Sequence, residues 1–319
     1  MNQIVLLFAL LVAAPLQAQV DAYAYLGLKL APQEVTNIRL KETYVINTSK
    51  DSKFKEKYLF SREEYNEQGR RSLNLFFKPD ASLESKIVAF YPDSTKEINI
   101  FQQKGEVVDS AVFLFHPDGR RKMEIWYWGD NCSTDSLLFS YNARKQLSKV
   151  FRRYDWDEKW DTLFYKADGS LDKAIFYSKA DGLQKQVDFL FSPDSFLLKT
   201  ASRNRDRLIV EEEYFFYDKK GRLDYTTTRY FPDGEEKPET PRLTSRYSYW
   251  RNGELKRVKK VLSSKKKKRI SVSILKYNRS GRLIYQRDRN KSEGIDSKII
   301  IEYRARPKGW KPRQGSNFW

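Results

Sequence analysis

One turn recurs along this chain at near-constant spacing. Its fullest copy is Tyr217-Asp218-Lys219-Lys220-Gly221-Arg222-Leu223. The flanking runs 208–217 and 223–231 are rich in aromatic and β-branched residues, which suit a pleated, half-buried surface. Between them, Asp218 can cap the turn backbone and Gly221 supplies a positive φ without a Cβ clash. Copies begin at Tyr65, Tyr91, Phe115, Tyr141, Tyr165, Phe191, Tyr217, Tyr249 and Tyr277, in steps of 26, 24, 26, 24, 26, 26, 32 and 28 residues. A fixed period of this length marks a repeat architecture. Gly69, Gly119, Gly169, Gly221, Gly253 and Gly281 hold the structural glycine position of the turn, and Thr95, Lys145 and Ser195 replace it in the other copies. Those three turns either differ in type or carry a strain of roughly 1 kcal/mol each.

The pattern predicts an all-β fold. About nine antiparallel hairpin units of about 26 residues would form a long twisted or curling meander sheet. The uniform turns would line one edge and the variable connections the other, with 232–241 and 263–269 the longest. With 20 Phe, 20 Tyr and 7 Trp, both faces have aromatic surface to bury. Whether such a sheet stays open, curls or closes is not readable from these residues. The expected divisions are a signal peptide at 1–18, a lead-in at 19–35, the repeat domain at 36–303 and a tail at 304–319.

The turn signature resembles the YD-repeat (RHS-like) family. Tyr217, Asp218, Gly221, Arg222 and Leu223 match its Tyr-Asp-x-x-Gly-Arg-Leu pattern, and Tyr277 to Leu283 match it with Asn278 in place of Asp. The copy at Phe115-His116-Pro117-Asp118-Gly119 is also similar to MORN-variant repeats. The resemblance spans roughly 36–303. It implies a scaffold or binding array and carries over no catalytic residue.

Residues 4–14 form an apolar run too short to span a bilayer, and Ala18 fits a cleavage site before Gln19. The chain therefore reads as exported, to the periplasm, the cell surface or the medium. No later segment is apolar enough to cross a membrane as a helix. The one cysteine, Cys132, has no partner for an internal disulfide, so sheet packing must supply the stability.

Charge is concentrated at one end. The whole chain carries +18. Residues 242–319 hold 24 basic against 5 acidic residues, whereas the first 241 are almost balanced. Lys265, Lys266, Lys267, Lys268 and Arg269 form the densest run and are the candidate binding residues. Such a surplus favours an anionic partner such as an anionic glycan, an envelope surface or another protein. Export disfavours nucleic acid. The same lysines would also serve as a solvated edge that resists strand-to-strand pairing. Tyr247, Tyr249, Trp250, Tyr277 and Tyr285 could stack on sugars or bases, or belong to the core.

Catalytic patterns are sparse. The single histidine, His116, sits in a turn, which removes the base from a Ser-His-Asp or Cys-His site. No phosphate loop, calcium loop or metal-binding spacing occurs, so no cofactor is expected. Asp155, Asp157 and Glu158 with Trp156 and Trp160 have the composition of a sugar site and equally of a hydrophilic hairpin tip. The expectation is an exported, non-enzymatic binding or scaffold module. The alternatives are a carbohydrate-active enzyme using a carboxylate pair and a purely structural array.

Overall fold

A computed structural model describes residues 37–47, 56–129, 133–234, 240–264, 271–290 and 295–305. The signal peptide, the lead-in, Cys132, the lysine run 265–269 and most of the tail lie outside them. Twenty strands follow one another. The first five are β1 (Ile38–Asn47), β2 (Tyr58–Tyr65), β3 (Arg71–Phe77), β4 (Leu83–Asp93) and β5 (Lys96–Gln103). Next come β6 (Glu106–Phe115), β7 (Arg121–Trp128), β8 (Ser133–Tyr141), β9 (Leu147–Arg153) and β10 (Glu158–Tyr165). β11 (Leu171–Ser178), β12 (Gly182–Phe191), β13 (Leu197–Arg203), β14 (Ile209–Tyr217) and β15 (Leu223–Tyr230) continue the series. β16 (Arg242–Tyr249), β17 (Leu255–Ser263), β18 (Ser271–Tyr277), β19 (Leu283–Asn290) and β20 (Ile295–Ala305) complete it.

Each strand pairs antiparallel with its neighbours in sequence, and β20 then pairs with β1, from Ile38 opposite Ala305 to Asn47 opposite Ser297. The sheet is a closed twenty-stranded barrel. The all-β antiparallel expectation holds, and the open or merely curling meander does not. The seam also overturns the resemblance to YD-repeat (RHS-like) and MORN-variant arrays, because those imply a sheet with two free edges and here β1 and β20 consume both.

The turns explain the closure. In every copy but the one at Tyr91, the register shifts by one residue just before the aromatic, as where Phe216 faces Tyr225 but Tyr217 faces Leu223. Such a bulge strengthens the local twist and bends its strand. Repeated at the same rim, it bends successive hairpins alike until the last strand meets the first. The signature glycines have φ between 72° and 89°. Lys145 and Ser195 adopt the same left-handed conformation, each at φ 63°. Thr95 escapes it, because Asp93 pairs with Lys96 across the tight turn Ser94–Thr95.

Side chains of neighbouring copies lock together at this rim. The Tyr217 hydroxyl donates to the Leu197 carbonyl at 2.9 Å, Tyr249 to Leu223 at 2.7 Å, and Tyr165 to Leu147 at 2.6 Å. Tyr303 does the same to Leu283 at 2.9 Å beside the seam. Asp218 Oδ1 accepts from the amides of Lys220 and Arg222, and Asp218 Oδ2 accepts two bonds from the Arg222 guanidinium. That guanidinium lies 4.6 Å from the ring of Tyr249 in the next copy.

Nearly all fully buried side chains share one face of the sheet. A closed ring draws inner side chains together and spreads outer ones, so this crowded face is the inner wall. Toward the turn rim its core runs sideways from strand to strand. Phe139, Leu147, Val150, Leu163, Leu171, Ala174, Val187, Phe189 and Leu197 form one stretch, and Leu223, Tyr247, Leu255, Val258, Leu275 and Tyr277 another. Around mid-height the inner wall turns polar, with Lys41 paired to Glu63 and Arg152 to Asp161, each at 2.6 Å.

Candidate polyanion-binding face

The strand register places the basic residues of the last quarter on the outer wall. Across β16–β20, Arg246 faces Lys259, Lys259 faces Ile274, Ile274 faces Arg287 and Arg287 faces Lys298. The adjoining row holds Arg257 opposite Lys276 and Lys276 opposite Tyr285. Arg289 and Arg242 lie on the same wall toward the other rim. Strands about 4.8 Å apart therefore display cations on nearly every step. Alternation explains this: in β16 the even positions Arg246 and Ser248 point outward while Ser245 and Tyr247 are buried.

Acidic compensation is slight. Asp296 accepts two bonds from Arg287 at 2.8 and 2.7 Å and one from Arg289 at 3.0 Å. The hydrogen bonds from Arg287, with those from Arg289, hold its carboxyl far below the usual carboxylate range. Among the described residues, Arg246, Arg257, Lys259, Lys276 and Lys298 form no salt bridge. Lys276 leans over Tyr285, with Nζ 4.8 Å from the ring centroid. Tyr247 and Tyr277 are buried on the inner wall, the Tyr249 hydroxyl donates to the Leu223 carbonyl, Trp250 lies under Lys256 and Arg279 at 4.7 and 5.7 Å, and Tyr285 stands with the outer cations.

The run Lys265–Lys268 with Arg269 connects β17 to β18 and lies outside the described residues, so the cations on the strands themselves are what the structure adds. Composition alone could not separate them from inner-wall residues such as Lys260. That residue faces Ser245 and Ser273, and burial lowers its pKa.

Other sequence candidates disperse. Asp157 is buried, accepting from the Ser178 hydroxyl at 2.8 Å and the Ala180 amide at 3.2 Å, so it pins a neighbouring loop. Trp156 is 74% exposed at the rim, and Trp160 stacks on Tyr177 on the outer wall. His116 lies in its turn, its ring edge-on to Tyr141.

No protein-family model matches the chain, and neither does any curated protein. Three solved structures are distantly similar. A porin-like protein from Bacteroides uniformis is 12% identical, with 85% of this chain and 99% of that one covered, at a TM-score of 0.37. TcdB2-TccC3 without its hypervariable C-terminal region is 10% identical, covering 85% and 19%, at a TM-score of 0.27. A porin-like protein from Bacteroides vulgatus is 9% identical, covering 82% and 97%, at a TM-score of 0.23. At these identities and scores they assign no activity to this chain.

Among the described residues no helix is long and apolar enough to cross a membrane, which says nothing of strands. The outer wall itself is informative. At a bilayer midplane each Lys or Arg facing lipid would cost about 2–4 kcal/mol. Arg246, Arg257, Lys259 and Lys276 face outward across β16–β18, so that cost would fall on this sector. On the opposite side Phe90, Ile98, Val112 and Ile125 form an apolar row.

Proposed function

We propose that this protein is an exported, non-enzymatic binding barrel that holds a polyanion, such as an anionic envelope glycan, on the outer face of β16–β20. The observation that carries this reading is the set Arg246, Arg257, Lys259, Lys276 and Lys298, which have no carboxylate partner among the described residues. Their grid, one strand spacing apart crosswise, suits a polymer with regularly spaced sulfates, phosphates or carboxylates. Such groups accept charge-assisted bonds from arginine and lysine while the polymer's other side stays in water.

The test is retention of the mature chain on an immobilised sulfated polysaccharide at increasing salt. Arg246→Ser, Lys259→Ser and Lys276→Ser combined should lower the elution salt. The slope of log affinity against log salt should flatten by about 2–3, close to one per released counterion. Replacing Lys86, Lys122 and Lys149, on other sectors, should change little. Equal losses from both sets, or no retention of the parent, would overturn the proposal.

A further inference from the structure

The outer wall of β4–β8, across the barrel from the cationic sector, carries the opposite chemistry. Direct partners across a sheet share a face, so one row there reads Phe90, Ile98, Val112, Ile125 and Ser136. Away from the turn rim, the next row holds Val88, Ile100, Ser110 and Tyr127. Toward the turn rim, the third holds Leu114, Met123 and Leu138, with Lys96 at its corner. The inward neighbours Ala89, Asn99 and Ala111 are buried, whereas Phe90 is 48%, Leu138 44% and Tyr127 43% exposed.

A broad apolar face of this kind marks a contact surface. Five strands about 4.8 Å apart and three alternate positions about 6.8 Å apart measure roughly 24 by 20 Å, on the order of 500 Å² before side-chain relief is counted. A standard interface buries about 800 Å² from each partner, so this patch is the greater part of one.

We propose that two copies of this chain pair through the outer wall of β4–β8. The relief of the patch is self-complementary. Its central row starts at its bulkiest member, Phe90, and ends at its smallest, Ser136, each two strands from Val112. A two-fold axis running along β6 exchanges these positions across a face-to-face contact. Each Phe90 then enters the hollow over Ser136 of the second copy, and Ile98 meets Ile125. Charge favours the same arrangement. The chain carries +18, and pairing through β4–β8 leaves the two cationic walls on opposite outer sides of the pair, where they repel least. Peripheral lipid binding adds electrostatic attraction to apolar burial, and here the cationic sector would face away from the lipid.

The test is sedimentation velocity of the full mature chain at low and high salt. The parent should sediment as a dimer in both, since apolar burial survives screening that weakens ion pairs. Val112→Glu combined with Ile125→Glu should weaken the dimer about a hundredfold or more by placing carboxylates in the contact, while the circular dichroism spectrum stays that of the parent. Val112→Cys in a Cys132→Ser background gives a second reading without introducing a charge. Opposed sheets lie about 10 Å apart, so the two thiols beside the axis should be joined by a short bismaleimide. Arg246→Cys in the same background should stay monomeric on a denaturing gel. A parent that sediments as a monomer, a dimer unchanged by Val112→Glu/Ile125→Glu, failure of Val112→Cys to crosslink, or flotation of the parent with phosphatidylcholine vesicles would overturn the proposal.

Discussion

Ser195 and Lys145 hold a left-handed backbone that glycine adopts without strain. Ser195→Gly and Lys145→Gly should each raise stability, by up to about 1 kcal/mol, in urea melts. Gly221→Ala should do the reverse, by about 1–2 kcal/mol. Its φ is 72°, and a Cβ there would sit 3.1 Å from Phe196 Cζ. Tyr217→Phe removes one interstrand bond from a phenol whose burial already pushes its pKa up to about 12, and should cost about 1 kcal/mol. Glu213 provides a pH signature. Burial pushes its carboxyl up to about 7, against which the Thr226 hydrogen bond works only partly. The folded state thus holds this proton more tightly than the unfolded chain, whose value is about 4.3. Its contribution to stability therefore falls as pH rises from about 4.3 to 7. Glu213→Gln should stabilise by about 1–3 kcal/mol near pH 8 and leave stability almost unchanged near pH 4, as read from thermal melts across that range.

At the scale of the hairpin, Tyr217, Asp218, Arg222 and Leu223 of the Tyr-Asp-x-x-Gly-Arg-Leu turn each have a partner inside their own copy or an adjacent one. Arg222 joins the two, bonded to Asp218 and resting on Tyr249. A double-mutant cycle of Arg222→Ala with Tyr249→Leu should therefore be non-additive by about 0.5–1 kcal/mol, whereas Arg222→Ala with the distant Tyr91→Leu should add simply. These turns were legible in sequence because their chemistry is local: Asp218, Gly221 and Leu223 act within a few residues. Which face each strand buries was much less legible. Both faces carry aromatics, and each bulge resets the alternation, so Leu223 faces inward and Tyr225 outward although two positions apart. The aromatic cluster of Phe101, Phe113, Trp126 and Trp128 escaped notice for this reason. Its members come from three strands and converge only when the register is known. The outer cations were visible as a surplus of charge but not as a grid, since Lys259 and Lys260 are neighbours in sequence and lie on opposite walls.

At the scale of the molecule, closure was invisible because no residue encodes it. It is the sum of small bends contributed by many hairpins. Removing β20 by ending the chain after Asn290 should expose β1 and β19 as unpaired edges. Light scattering should then show concentration-dependent oligomers, while the circular dichroism spectrum stays that of β-sheet. A parent chain that is equally oligomeric would count against this.

The seam also imposes an order in time. Every other strand pair can form soon after its second member is made, since the two are neighbours in sequence. β1 must wait for β20, the last of the described strands, and so spends nearly the whole of their synthesis with one side unsatisfied. A chain released early has no means of satisfying it. Holding the first hairpin apart from other chains until the last one arrives is thus a task that falls to the cell, and chaperone dependence should track the N-terminal strand more than any other.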